Sequence, residues 1–100
     1  MEHIVRRVYG ELKKEILITE NGIATSSDQR RIAFIETALA GVERCIKDGI
    51  PLIGYLHWSL IDNYEWQSGY SMQFGLIAND ASHSVKESLT FLGTCGSRLH

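Results

Sequence analysis

Residues 15–22 read E-I-L-I-T-E-N-G, and the organisation of the chain follows from this stretch. Its apolar centre, Ile16-Leu17-Ile18, is short, bulky and largely β-branched. Asn21-Gly22 stops it, a dipeptide suited to a turn with positive φ. Three consecutive apolar residues predict a strand buried on both faces, as in a parallel sheet wrapped by helices. Such a strand delivers Glu20 to its carboxyl end, where ligands gather in α/β architectures. The plainer reading of Glu20 is a solvated charge beside a turn, and only the rest of the chain distinguishes the two.

On its N-terminal side, Ile4, Val8 and Leu12 recur at steps of four with Val5 beside them, which predicts a helix over about 2–14. On the other side, 22–27 is a loop of small and polar residues. A second helix is expected from about Asp28, with Ser26-x-x-Gln29 as a capping box or Asp28 itself as N-cap. Ile32, Ile35, Leu39, Val42 and Ile46 form its core-facing stripe, and Lys47-Asp48-Gly49 ends it. Pro51 then opens L-I-G-Y-L-H-W-S at 52–59, a second buried strand with its proline where a missing N–H does least harm. Strand, helix and strand joined by tight links make a βαβ unit with parallel strands. A long loop rich in aromatic and polar groups runs to Gly75. A last helix is expected near Ser84, with a Ser84-x-x-Glu87 box and Val85, Leu89 and Leu92 inward, fraying after Gly93.

The composition narrows the function. The chain has 100 residues, 44% hydrophobic and 22% charged, with a formal net charge of −2. Without a basic excess, neither nucleic acid nor an anionic membrane surface is an expected partner. No apolar run approaches a membrane-spanning length. The opening M-E-H-I-V-R-R-V mixes charges among its apolar residues, unlike a secretory signal. Cys45 and Cys95 are far apart and read as reduced thiols, so a cytoplasmic location is expected. The four histidines are scattered without ligand spacing, so neither metal nor other cofactor is expected.

The second strand ends in His57-Trp58-Ser59, followed by Asp62, Tyr64, Glu65, Trp66, Tyr70 and Phe74. Aromatic faces beside carboxylates suit a carbohydrate: the ring packs on the sugar's C–H face and the carboxylate accepts from its hydroxyls. The competing reading is that Trp58 and Trp66 only fill a core.

I-L-I-T-E-N-G at 16–22, H-W-S-L-I-D-N-Y-E-W at 57–66 and G-Y-S-M-Q-F-G-L at 69–76 together resemble the C-terminal part of family 1 glycoside hydrolases of the β-glucosidase type. The resemblance runs from about residue 4 to 93. It implies an α/β fold, the C-terminal portion of a (β/α)₈ TIM barrel, with strands 7 and 8 at 16–19 and 52–58 and residues 1–100 forming a partial barrel domain. It also implies Glu20 as nucleophile, Trp58 as sugar platform, Glu65 and Trp66 as hydroxyl-binding residues and Phe74 as a pocket wall. The implied substrate is a β-glycoside, unphosphorylated because the Glu65 carboxylate repels a sugar phosphate. Gln73, where the family commonly has a basic residue, and 78–80 with the tail after Ser82 depart from the pattern.

A retaining glycosidase needs a second carboxyl group about 5–5.5 Å from the nucleophile. The family places it in an Asn-Glu-Pro motif that this chain lacks. A whole barrel takes roughly 250 residues. The expectation is therefore a terminal piece of a β-glucosidase, inactive alone, whose partner is the missing N-terminal part of the barrel. The alternatives are a non-catalytic sugar-binding or interaction module, and a subunit completed by a second polypeptide.

Overall fold

A computed structural model describes residues 1–79 and 84–98. Asp80 and Ser82 of the loosely matching stretch, and the Cys95 side chain, lie outside the described residues. The elements are helix α1 (Glu2–Leu12), strand β1 (Ile16–Asn21), helix α2 (Asp28–Lys47), strand β2 (Leu52–His57) and helix α3 (Glu87–Arg98). A single 3₁₀ turn, Trp66–Ser68, interrupts the long loop after β2.

The two strands pair in parallel, Ile16 with Leu52, Ile18 with Tyr55 and Asn21 with His57, as the βαβ reading requires. One apolar cluster joins Val5 of α1, Ile18 of β1, Val42 and Cys45 of α2, and Leu52 of β2. A second joins Ile35 and Leu39 of α2 to Leu76 and the α3 residues Leu89 and Leu92. The expectation that β1 is buried on both faces is corrected: Ile18 is buried but Leu17 is 47% exposed. Ile53 and Leu56 of β2 are exposed as well. The helices supply one layer of cover only. An apolar trough of about 700 Å³, lined in part by Leu39, Ile46, Ile53, Leu56 and Leu92, runs beside β2.

Both helix faces depart in part from their predicted stripes. In α1, Ile4 is 64% exposed, while Val5 is buried with Met1 and Tyr9 packed near it. Two ion pairs accompany that contact, Glu2 with Arg44 at 3.0 Å and Arg6 with Asp48 at 2.7 Å, and tie α1 to the end of α2. In α2 Ile35, Leu39 and Val42 of the predicted stripe are buried and Ile46 is exposed, while the buried line also takes in Arg31, Ala38 and Cys45. That line has helical spacing too, but one charged and two small residues hide it from a count of large aliphatics.

The N-cap of α2 is Ser27, neither Ser26 nor Asp28; its Oγ accepts from Arg30 N–H at 3.4 Å. Asp28 is engaged elsewhere, as its carboxylate accepts from the Ser88 N–H at 2.9 Å and the Ser88 hydroxyl at 2.7 Å at the start of α3. Gly49 ends α2 as expected, at φ 84°. The last helix starts at Glu87 instead of Ser84, and Glu87 accepts from Gln29 at 3.0 Å, so no Ser84 box forms. Val85 is exposed, bridged to Ile77, and the helix continues past Gly93.

Burial alone would raise the Asp28 carboxyl, but the Ser88 hydroxyl and N–H and the Arg31 guanidinium hold it below its ordinary value. Asp28→Ala is expected to cost about 3 kcal/mol, read from urea midpoints, because it strands Arg31 and Ser88. Since the shift is downward, the difference between wild type and variant is full above pH 3.8 and shrinks as pH falls through the lowered value. A difference that grows in acid would contradict the assignment.

Candidate active site

The ends of β1 and β2 are locked together. Trp58 N–H donates to Asn21 O at 2.9 Å, and the Tyr55 hydroxyl donates to Asn21 Oδ1 at 2.9 Å. Burial pushes that hydroxyl's pKa up to about 12, so it stays a donor. A Cβ on Gly22 would collide with the Trp58 carbonyl oxygen, so only glycine lets the turn after Glu20 approach this closely. The Asn-Gly signal is thus a close-approach requirement. The Trp58–Ser59 peptide bond is cis. Glu20 is exposed at this end of β1, and Trp58, which follows β2, is 39% exposed.

The loop after β2 is pinned at three consecutive residues. Gln73 O accepts from Thr25 N–H at 3.0 Å and from Arg31 Nη2 at 2.7 Å. Phe74 O accepts from Ser59 N–H at 3.2 Å. Gly75 N–H donates to Asp62 Oδ1 at 2.7 Å, and Lys86 Nζ reaches both Asp62 oxygens at 3.2 Å and Gly75 O at 2.8 Å. Asp62, an acid near the site by sequence, is therefore buried in a structural ion pair. A side chain at Gly75 would run into the Ile61–Asp62 backbone, which explains the glycine there.

Between these anchors the loop forms a depression of about 440 Å³ lined by Glu65, Trp66, Gln67, Ser68, Met72 and Phe74. Three of the residues singled out from sequence, Glu65, Trp66 and Phe74, converge here. Glu65 lines this depression, and its Oε1 is buried with no hydrogen-bond partner among the described residues. Trp66 is 85% exposed and adopts a left-handed φ of 47°, unusual for a bulky residue. Tyr64 and Tyr70 pack edge to face at 5.6 Å nearby. Glu20 and Trp58 do not line this depression; the bond from Ser59 to Phe74 joins the two groups.

The sequence reading missed Arg31 and gave Asp28 only as a possible N-cap. Arg31 is 1% exposed; its Nη1 donates to Asp28 at 2.8 Å and its Nη2 to Thr25 O at 2.6 Å as well as to Gln73 O. A usable signal existed: a cation in the first turn of a helix opposes the helix dipole, so it needs another reason to be there. His57, half-buried with both ring nitrogens unpartnered among the described residues, is driven below its ordinary pKa by burial and then by the Arg31 charge, which keeps it neutral. Among the described residues no cluster of three or more His, Cys, Asp or Glu is placed to hold a metal, and no helix is long and apolar enough to cross a membrane.

Gly22→Ala is expected to push Trp58 off the β1 turn, costing about 1–3 kcal/mol by overpacking. Indole N–H resonances should report it: Trp58 shifts and Trp66 does not. Two unmoved indoles would show that the contact is dispensable.

Comparison with known proteins places these features. The family model of glycosyl hydrolase family 1 matches residues 1–92. The beta-galactosidase of Saccharolobus solfataricus is 51% identical over 63 residues, 63% of this chain and 13% of that protein. Beta-glucosidase A of Thermotoga maritima is 37% identical over 98 residues, 81% of this chain and 22% of that protein. A beta-glycosidase crystal structure superposes with a TM-score of 0.88 at 41% identity, over 93% of this chain and 23% of its own. The Thermotoga maritima beta-glucosidase in complex with cyclophellitol gives a TM-score of 0.89 at 33% identity, over 96% of this chain and 25% of its own. The chain thus spans a quarter or less of each of these proteins.

Proposed function

The chain belongs to glycosyl hydrolase family 1, and from that premise we propose that it is the C-terminal part of a (β/α)₈ barrel that hydrolyses β-glycosidic bonds with retention, β1 and β2 being the seventh and eighth strands. The observation that carries the reading is the lock between the Glu20 turn and Trp58. It brings the turn that follows Glu20 against the Trp58 backbone at the carboxyl end of a parallel sheet, where barrel chemistry resides. The exposed Leu17, Ile53 and Leu56 support it, since apolar strand residues without cover suit a sheet that further strands and helices complete.

In the mechanism, ionised Glu20 attacks the anomeric carbon and forms a C–O bond to it. The glycosidic bond breaks, its electron pair going to the leaving oxygen, which takes a proton from an acid outside this chain. Water then attacks the glycosyl-enzyme, gives its proton to that same group and frees Glu20 with the original configuration. Trp58 supports the sugar face, Glu65 and Trp66 take its hydroxyls, and Phe74 walls the pocket. The substrate class is an unphosphorylated gluco- or galacto-glycoside, in keeping with the names of both relatives. Alone, the 100-residue chain has the nucleophile without its acid partner and shows no turnover.

A second reading, sugar binding without chemistry, draws on one observation: Glu65, Trp66 and Phe74 converge within this chain by itself. Calorimetry of the isolated chain with glucose separates the two. The glycosidase reading expects no measurable heat of binding, and saturable binding to a folded monomer favours the module.

The deciding experiment places this chain behind the part of Thermotoga maritima beta-glucosidase A that precedes its match. The fusion is expected to cleave aryl β-glucosides, and Glu20→Gln to reduce kcat at least about a thousandfold. Glu20→Gly with added azide should yield the α-glycosyl azide, since azide then occupies the face vacated by the nucleophile. A fusion whose activity survives Glu20→Gln would remove Glu20 from the chemistry.

A further inference from the structure

Burying a guanidinium is costly, and one placed for stability alone is commonly matched or bettered by a well-packed apolar side chain. Arg31 is buried with its Nε lacking any partner among the described residues, so as a stability device it is incomplete. What it does that an apolar residue cannot is hold two backbone carbonyls from separate loops. Nη2 donates to Thr25 O at 2.6 Å and to Gln73 O at 2.7 Å, two short bonds from one nitrogen. Thr25 lies on the loop that follows the Glu20 turn, and Gln73 immediately precedes Phe74. Thr25 N–H also donates to Gln73 O at 3.0 Å, so the two loops meet at this point. Asp28 orients the fork through Nη1 at 2.8 Å and is itself held by both polar groups of Ser88 on α3. Loop, helix, second loop and third helix are thereby referred to one side chain.

We propose that Arg31 is a positioning residue, which sets the Phe74 wall of the sugar site against the turn that carries Glu20. The proposal rests on the glycosidase reading above and adds a residue to it. Arg31 touches neither sugar nor nucleophile. It acts by keeping 73–75 at a fixed distance from 23–25, so that wall and carboxylate meet the transition state in one geometry. Lysine is a poor substitute, because a point-like ammonium lacks the planar fork that reaches both carbonyls while facing Asp28.

The test uses the fusion enzyme, with its active sites counted from the burst of a slow, activated aryl glycoside. Arg31→Met is expected to lower kcat per counted site between roughly tenfold and a hundredfold. Arg31→Lys is expected to recover part of that loss, and it decides the matter if the methionine variant fails to fold. Ile35→Val, one turn along the same buried line, is the stability control: it lowers Tm while leaving kcat per site at the parental value. Amide exchange at Thr25 is followed in parallel, with loss of protection expected within 23–27 and 73–75 and not in the middle of α2. If Arg31→Met turns over at the parental rate per site and loses only Tm, as Ile35→Val does, the proposal is overturned. If the parent fusion shows no burst, the glycosidase reading has failed, and exchange still decides the clasp: protection at Thr25 unchanged by Arg31→Met overturns it, and a loss confined to the two loops upholds it.

Discussion

A guanidinium removed from water must find acceptors for its N–H groups, and Arg31 finds them on three separate segments. Thr25 and Gln73 offer carbonyls and Asp28 a carboxylate, so the loop after β1, the stretch before Phe74 and the first turn of α2 share one fixed point. Asp28 extends the constraint to α3 through Ser88, which is fully buried. Chain segments 60 residues apart are held by hydrogen bonds whose loss would leave charge uncompensated in the interior. The helices and strands supply the frame, but this network decides how the loops lie across its end.

Two close approaches complete what the network begins. Gly22 lets the β1 turn meet the Trp58 carbonyl, and Gly75 lets the loop meet the Ile61–Asp62 backbone. Each removes a side chain at a point where backbone must touch backbone, and each lies beside a residue assigned to the site. The Asp62–Lys86 pair does for Gly75 what Arg31 does for Gln73. As a result Phe74 is flanked on both sides by anchored backbone, whereas Trp66 stands free in solvent on a left-handed residue. A rigid wall beside an open aromatic face is an arrangement that a ligand, or further protein, completes.

The uncovered surfaces have the same meaning. A parallel sheet normally has both faces buried, yet Leu17, Ile53 and Leu56 are exposed and the trough beside β2 is apolar. The outer stripe of α1, Ile4, Val8 and Leu12, is exposed too. These residues are the same ones that the periodicity assigned to a core. Their pattern is that of an interior, and the proteins this chain matches are four or more times longer. The energetic consequence is a small core with an excess of exposed apolar area, the condition under which chains associate.

The sequence by itself determined the strand–helix–strand order, the stop signals at Asn21-Gly22 and Gly49, and the residue types gathered after each strand. These are local properties, written in periodicity, turn chemistry and three short motifs. It also placed Glu65, Trp66 and Phe74 in one loop, where nearness in the chain makes nearness in space. Only the tertiary structure decided which helix faces are buried, because burial depends on what packs against a face and takes in residues such as Arg31 that a count of large aliphatics passes over. It alone turned Asp28 from a cap into a tether, and Asp62 from a candidate acid into half of an ion pair. Such roles depend on partners tens of residues away, and hydrogen bonds over that separation leave no period in the chain that makes them.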